Sequence, residues 1–182
     1  LSATFNKKHK KDFEPLVPGF GFVPFNKCEK LEAAVTDKTA AVLLEIVQGE
    51  GGVHIGDRDY FEKAAALCRE RGALLIVDEI QTGFCRTGKM FACEHYDLTP
   101  DILCLGKAIA GGLPMGAVVC GERVNVPKGR HGSTFGGNPL VCAAANAAID
   151  FMIEHELARQ AEEKGRYLVD LLERGLPDTV RE

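Results

Sequence analysis

GALLIVDEIQTGF (72–84) and PDILCLGKAIAGG (100–112) are the two stretches that decide how this chain folds. Residues 73–78, ALLIVD, are short and nearly all apolar, and Gly72 bounds them; that pattern predicts a buried strand ending at the acidic pair Asp78–Glu79. Residues 101–105 predict a second such strand, which empties through Gly106 into Lys107. Working outward, TAAVLLEI (39–46) reads as an internal strand. From Asp59 to Arg71 helical spacing places Phe61, Ala64, Ala65, Leu67 and Cys68 on one face, and Gly72 stops that helix. Strand, helix and strand within about forty residues make a βαβ unit, which implies parallel pairing and a sheet covered on both sides.

The rest of the chain extends this α/β reading. Residues 1–27, with PLVPGFGFVPFN at 15–26, are too rich in proline, glycine and aromatics for helix and are expected to be irregular. Residues 28–36 suit a short helix, QGEGG (48–52) a turn, and 116–120 a further strand after the AGGLPMG turn. Asn138 and Pro139 start a long helix as cap and first-turn residue. A second helix is expected over 156–174. A composition shift near His155 is expected to mark where the α/β core, 1–155, passes through the connecting helix of 156–182 to another domain. Three or four strands make an incomplete sheet, so further sequence on either side is expected.

Composition narrows the function. The 182 residues are 46% apolar and 26% charged, enough for one hydrophobic core, and the formal net charge of −4 argues against a nucleic-acid partner. The basic run KKHKK (7–11) lacks interleaved aromatics and reads as a solvated face. No apolar stretch reaches eighteen residues, so no membrane span is expected. The seven cysteines (Cys28, Cys68, Cys85, Cys93, Cys104, Cys120 and Cys142) sit mostly in apolar segments, which points to reduced, packed thiols in a cytosolic setting rather than a disulfide framework.

The candidate chemistry lies at the strand ends. A carboxylate at the carboxyl end of a parallel strand stands at the rim where ligands bind, and Asp78 there could pair with a protonated ring nitrogen. Alone, it equally suits a cap for backbone amides. Lys107, beside small residues, is placed to attack a carbonyl and then carry a proton, or simply to snorkel at a strand end. HGSTFGGN (131–138) offers the Ser133 and Thr134 hydroxyls and backbone amides that suit a phosphate, or an ordinary helix cap. No GxxxxGK[ST] or complete GxGxxG pattern occurs, which disfavours a nucleotide. Cys85, Cys93 and His95 lie close in sequence without the spacing of a metal site, so no metal is expected.

LLEIVQGEGGV (43–53), GALLIVDEIQTGFCRTGKMFACEHYDLTPDILCLGKAIAGGLPMGAVV (72–119) and HGSTFGGNPLVCAAA (131–145) together resemble consecutive motifs of the class III aminotransferases. The resemblance is greatest to the acetylornithine, ornithine and carrier-protein-linked lysine enzymes. It implies an α/β, fold-type I large-domain segment (1–155) with a mainly parallel mixed sheet, incomplete in this chain, followed over 156–182 by a connecting helix and the start of a smaller domain, with pyridoxal 5'-phosphate (PLP) as cofactor and a homodimer with shared active sites. It also implies transfer of an amino group from an acetylornithine-, ornithine- or carrier-linked lysine-type donor to 2-oxoglutarate, with an amino-group carrier protein as a further partner. Lys107 matches the Schiff-base lysine and Asp78 the carboxylate at the pyridine nitrogen. Gln81 matches the residue near the phenolic oxygen, and Ser133 and Thr134 the pair that reaches the phosphate bound to the neighbouring subunit. Glu50 matches a glutamate that pairs with a substrate-binding arginine, and Glu45 a second pocket-side acid.

The chain departs from the family pattern in specific places. Ile46 stands where proline is frequent. The glycine-Ser/Thr phosphate segment, the aromatic that stacks on the cofactor, the upstream arginine and the late small-domain arginine have no match. The resemblance therefore implies an enzyme in a longer parent polypeptide. Two other readings stay open: another omega-amino acid or GABA aminotransferase or a glutamate-semialdehyde aminomutase, and a catalytically silent dimer-forming homologue or inactive fragment.

Overall fold

The computed structural model of the protein describes residues 1–176; residues 177–182, the end of the segment expected to open a second domain, lie outside the described residues. The chain forms α1 (Cys28–Ala34), β1 (Ala41–Glu45), β2 (Val47–Gln48), β3 (His54–Ile55), α2 (Arg58–Arg71), β4 (Leu74–Asp78), β5 (Ile102–Leu105), β6 (Ala117–Cys120), α3 (Pro139–Glu154) and α4 (Leu157–Gly175). Four strands make one sheet in the order β1-β4-β5-β6. β1, β4 and β5 pair in parallel, while β6 returns antiparallel to β5. This is the mixed, mainly parallel sheet expected from the sequence. Residues 1–27 are irregular apart from single 3-10 turns at Lys7–His9 and Lys11–Phe13.

Local chemistry explains the boundaries. Gly72 adopts the left-handed conformation (φ 71°) that closes α2. Asn138 accepts from the Val141 amide at 3.2 Å while Pro139 occupies the first turn of α3, as its sequence predicts. One element was not legible: QGEGG is not a free turn but the tip of a small hairpin, in which Val47 pairs with Ile55 and Gln48 with His54. Two-residue strands carry too little alternation to register in a sequence.

One face of the sheet holds the core. Leu44, Leu75, Val77, Leu103 and Leu105 are buried there against the α2 face of Phe61, Ala64, Leu67 and Cys68. α1 packs against α2 and adds Leu31 to the core. The expectation of a sheet covered on both sides does not hold for the described residues. On the second face Leu43 is 47% and Val118 63% exposed, and at the β6 edge Val119 of the first face is 54% exposed.

Phe61, fully buried, organises the aromatic part of the core. It meets Tyr96 edge-on at 4.7 Å between centroids and lies 6.0 Å from Tyr60 and 6.4 Å from Phe25. Gly56 lies so close that an added Cβ would enter the Phe61 ring. Truncation by Phe61→Ala should cost about 3–5 kcal/mol in urea unfolding. Lys8→Ala in the exposed basic run should stay within roughly 0.5 kcal/mol. Equal effects of the two changes would contradict this assignment of the core.

Candidate active site

The strand register builds the site. Glu45 lies beside Asp78, and Asp78 beside Cys104, so the parallel strands β1, β4 and β5 end along one rim. Crevices at the carboxyl ends of parallel strands are where α/β sheets bind ligands. Beyond β5, Gly106 is extended and Lys107 turns into the left-handed region at φ 46°. That conformation costs a residue with a Cβ about 1–2 kcal/mol and is held from behind. Ile109 and Ala110 of the same turn are buried, and α3 packs against it.

The loop leaving β4 supplies the other polar groups. Asp78 Oδ1 accepts from the Ile80 amide at 2.9 Å, so the strand-end carboxylate does cap its own loop, as its simpler reading expects. It stands at the same rim as Lys107. Lys107 Nζ donates to Gln81 Oε1 at 3.1 Å, joining two of the residues singled out in the sequence. Around them opens a cleft of about 780 Å³, a size typical of small-molecule sites. Val47, Val53 and Ile55 of the hairpin form its apolar wall, and Gln81, Thr82, Arg86, Thr87 and Lys107 supply polar groups.

Glu45 feels this cluster most. Burial and then the Asp78 charge push its carboxyl above the ordinary glutamate range; Lys107 opposes this, Glu50 adds to it, and the Gly49 amide opposes it. Glu50 itself is exposed on the hairpin turn. Ser133 and Thr134 are exposed on the segment before α3, where Ser133 Oγ accepts from the Gly136 amide at 3.1 Å. Neither lines the cleft, and nor do Asp78, Glu45 or Glu50; of the residues singled out in the sequence, Gln81 and Lys107 do.

Sequence reasoning passed over Glu79. It is fully buried, accepts from the Cys93 amide at 2.7 Å and from the Thr82 hydroxyl, and ties the end of β4 to the Cys104 carbonyl through its own amide at 2.9 Å. The signal was present: period-two alternation puts residue 79 on the buried face with Val77, where an acid needs dedicated donors. Burial, reinforced by the Glu79 charge, pushes the Cys93 thiol up to about 12, which makes it an inert packed group. His95 Nε2 instead meets the Thr87 carbonyl at 3.0 Å. Among the described residues no three histidine, cysteine or acidic side chains gather as metal ligands, no helix is long and apolar enough to cross a membrane, and all seven cysteines are free.

Residues 1–181 match the family model described as aminotransferase class-III. The chain is 50% identical over 175 residues to the acetylornithine aminotransferase of Methanocaldococcus jannaschii, covering 95% of this chain and 44% of that protein. It is 48% identical over 186 residues to the LysW-aminoadipate semialdehyde transaminase of Deinococcus radiodurans, covering all of this chain and 43% of that protein. Among solved structures, an ornithine aminotransferase from Toxoplasma gondii superposes with a TM-score of 0.90 at 40% identity, over 98% of this chain and 43% of that one. The chain thus spans less than half the length of these relatives.

The Glu45 environment has a pH signature. Because the folded carboxyl is raised, Glu45 supports the fold below the ordinary glutamate range, and that support is lost as pH rises through the raised value. Glu45→Gln keeps an acceptor and removes the charge. It should leave thermal stability unchanged near pH 4 and raise Tm by about 1–3 °C near pH 8. A variant less stable than the parent at the higher pH would show that the Glu45 charge is favourable in the fold.

Proposed function

Because the chain belongs to the class III aminotransferase family, we propose that the polypeptide carrying it moves an amino group from an acetylornithine-, ornithine- or carrier-linked lysine-type donor to 2-oxoglutarate, with PLP in the Lys107 cleft. The observation that carries this reading is the meeting of Lys107 Nζ and Gln81 Oε1 in a cleft at the rim where Asp78 ends the neighbouring strand. These residues fit the cofactor: an amine for its aldehyde, a carboxylate for its ring nitrogen, and an amide for its phenolic oxygen. PLP, when bound, supplies an electron sink for the carbanion left by loss of the substrate Cα proton.

The chain's own groups divide the work. Lys107 would hold the cofactor aldehyde covalently and, once the amino donor has displaced it and freed its amine, would move the substrate Cα proton. Asp78, half-buried and fixed by the Ile80 amide, keeps the ring nitrogen protonated. Gln81 orients the ring and holds the Lys107 amine while it is free. Glu50, at the hairpin tip, neutralises a substrate-binding arginine while the amino donor is bound and releases it for the dicarboxylate acceptor, and Glu45 tunes the charge beside it. Ser133 and Thr134, exposed on one chain, serve the phosphate at a second subunit, so the working unit is a homodimer. Residues 1–155 belong to its large domain, and 156–182 lead into the small one.

In a polypeptide of the relatives' length, Lys107→Ala should abolish conversion of the cofactor to its amine form, with activity falling by at least about 1,000-fold. Asp78→Asn should keep most cofactor binding and still lose roughly 100-fold or more. A half-reaction screen with ornithine, N-acetylornithine, carrier-linked lysine, GABA and glutamate semialdehyde sets the substrate class. Turnover of only the last two would reject the ornithine-type donor and leave the cofactor site standing. Thr134→Ala should weaken PLP binding by about tenfold and shift sedimentation toward monomer when PLP is limiting. A fully active monomer would rule out the shared site.

A further inference from the structure

Gly49 lies against Gln81. A Cβ built on Gly49 would lie 2.5 Å from both Cδ and Oε1 of the Gln81 side chain, well inside van der Waals contact. The whole carboxamide therefore rests on the bare Cα of residue 49. Three residues of the fold meet at this point. Gly49 follows β2 at the start of the hairpin turn, Gln81 lies in the loop after β4, and Lys107 follows β5, its Nζ donating to Gln81 Oε1 at 3.1 Å.

Backbone conformation does not explain the glycine. Eight glycines of the described chain have positive φ, and Gly49 is not among them, so an alanine could adopt the same main-chain angles. The atoms it would strike belong to the free end of a flexible side chain. An added methyl would thus be accommodated by swinging the Gln81 amide aside, at little cost to the fold. The cost falls on the site, because the displaced amide leaves Lys107.

We infer that Gly49 is a positioning residue: the absence of a side chain at 49 is what seats the Gln81 carboxamide against Lys107 Nζ. The hairpin, which contributes no functional group at this point, sets the geometry of the amine by leaving space. The contact between Gly49, Gln81 and Lys107 stands without cofactor; its consequence for catalysis rests on the PLP reading above.

The test uses Gly49→Ala, Gln81→Ala and the double variant in a polypeptide of the relatives' length. Two readouts are needed. In cofactor-free protein, the rate at which an amine-acylating reagent labels Lys107, followed by peptide mapping, reports whether the Gln81 carboxamide still covers Nζ and hinders the reagent. In PLP-loaded protein, the pH midpoint of the visible absorption band reports the polar surroundings of the bound ring. Gly49→Ala should keep the parent Tm within a few degrees and speed Lys107 labelling roughly 3- to 10-fold, as Gln81→Ala does. It should also move the absorption midpoint in the same direction as Gln81→Ala. In the double variant the glycine change should add nothing, since a short side chain at 81 removes the collision. Parental labelling by Gly49→Ala, or an undiminished effect of Gly49→Ala in the Gln81→Ala background, overturns the inference. Absence of any visible band in the parent rejects the PLP reading, while the labelling result still decides the role of Gly49.

Discussion

Parallel pairing of β1, β4 and β5 is the constraint on which the site depends. Register alone puts Glu45, Asp78 and Cys104 in one lateral row, and the chain can only leave that row at one rim. A slip of one residue in β4 would turn Asp78 to the buried face and Glu79 to the opposite one. The two acids are thus fixed in different roles by strand periodicity. Asp78 stays half-buried at the rim, and Glu79 is buried whole and satisfied by the Cys93 amide and the Thr82 hydroxyl.

The buried carboxylate matters for function because it holds the loop that carries Gln81. Glu79 fastens residues 79–93 at three points: the Cys104 carbonyl, the Thr82 hydroxyl and the Cys93 amide. Gln81 lies inside that fastened loop and is limited from the other side by Gly49. Lys107 is held in turn by a left-handed backbone and by α3 packed behind its turn. Three separate elements therefore determine one 3.1 Å hydrogen bond, the kind of over-determined polar contact that functional sites require.

Much of this was legible from residues alone. Apolar runs bounded by glycine gave the strands at 74–78 and 102–105, helical spacing gave α2, and Asn138–Pro139 gave the start of α3. Strand order put Asp78 and Lys107 at the ends of neighbouring strands, and the motif resemblance singled out Gln81, which the structure joins to Lys107. What stayed hidden depends on contacts between distant residues. The two-residue hairpin has no periodic signal, and the space left by Gly49 acquires meaning only when Gln81 is folded over it. The half-exposed second sheet face was also beyond sequence patterning, because an apolar run does not specify which helices cover it. Ser133 and Thr134 remain assigned by resemblance, since neither lines the cleft.

The most direct test of the central claim is borohydride reduction of a PLP-loaded polypeptide of the relatives' length, followed by peptide mapping. A single phosphopyridoxyl adduct is expected on Lys107, within the peptide that follows β5. An adduct on another lysine, or none, would contradict it.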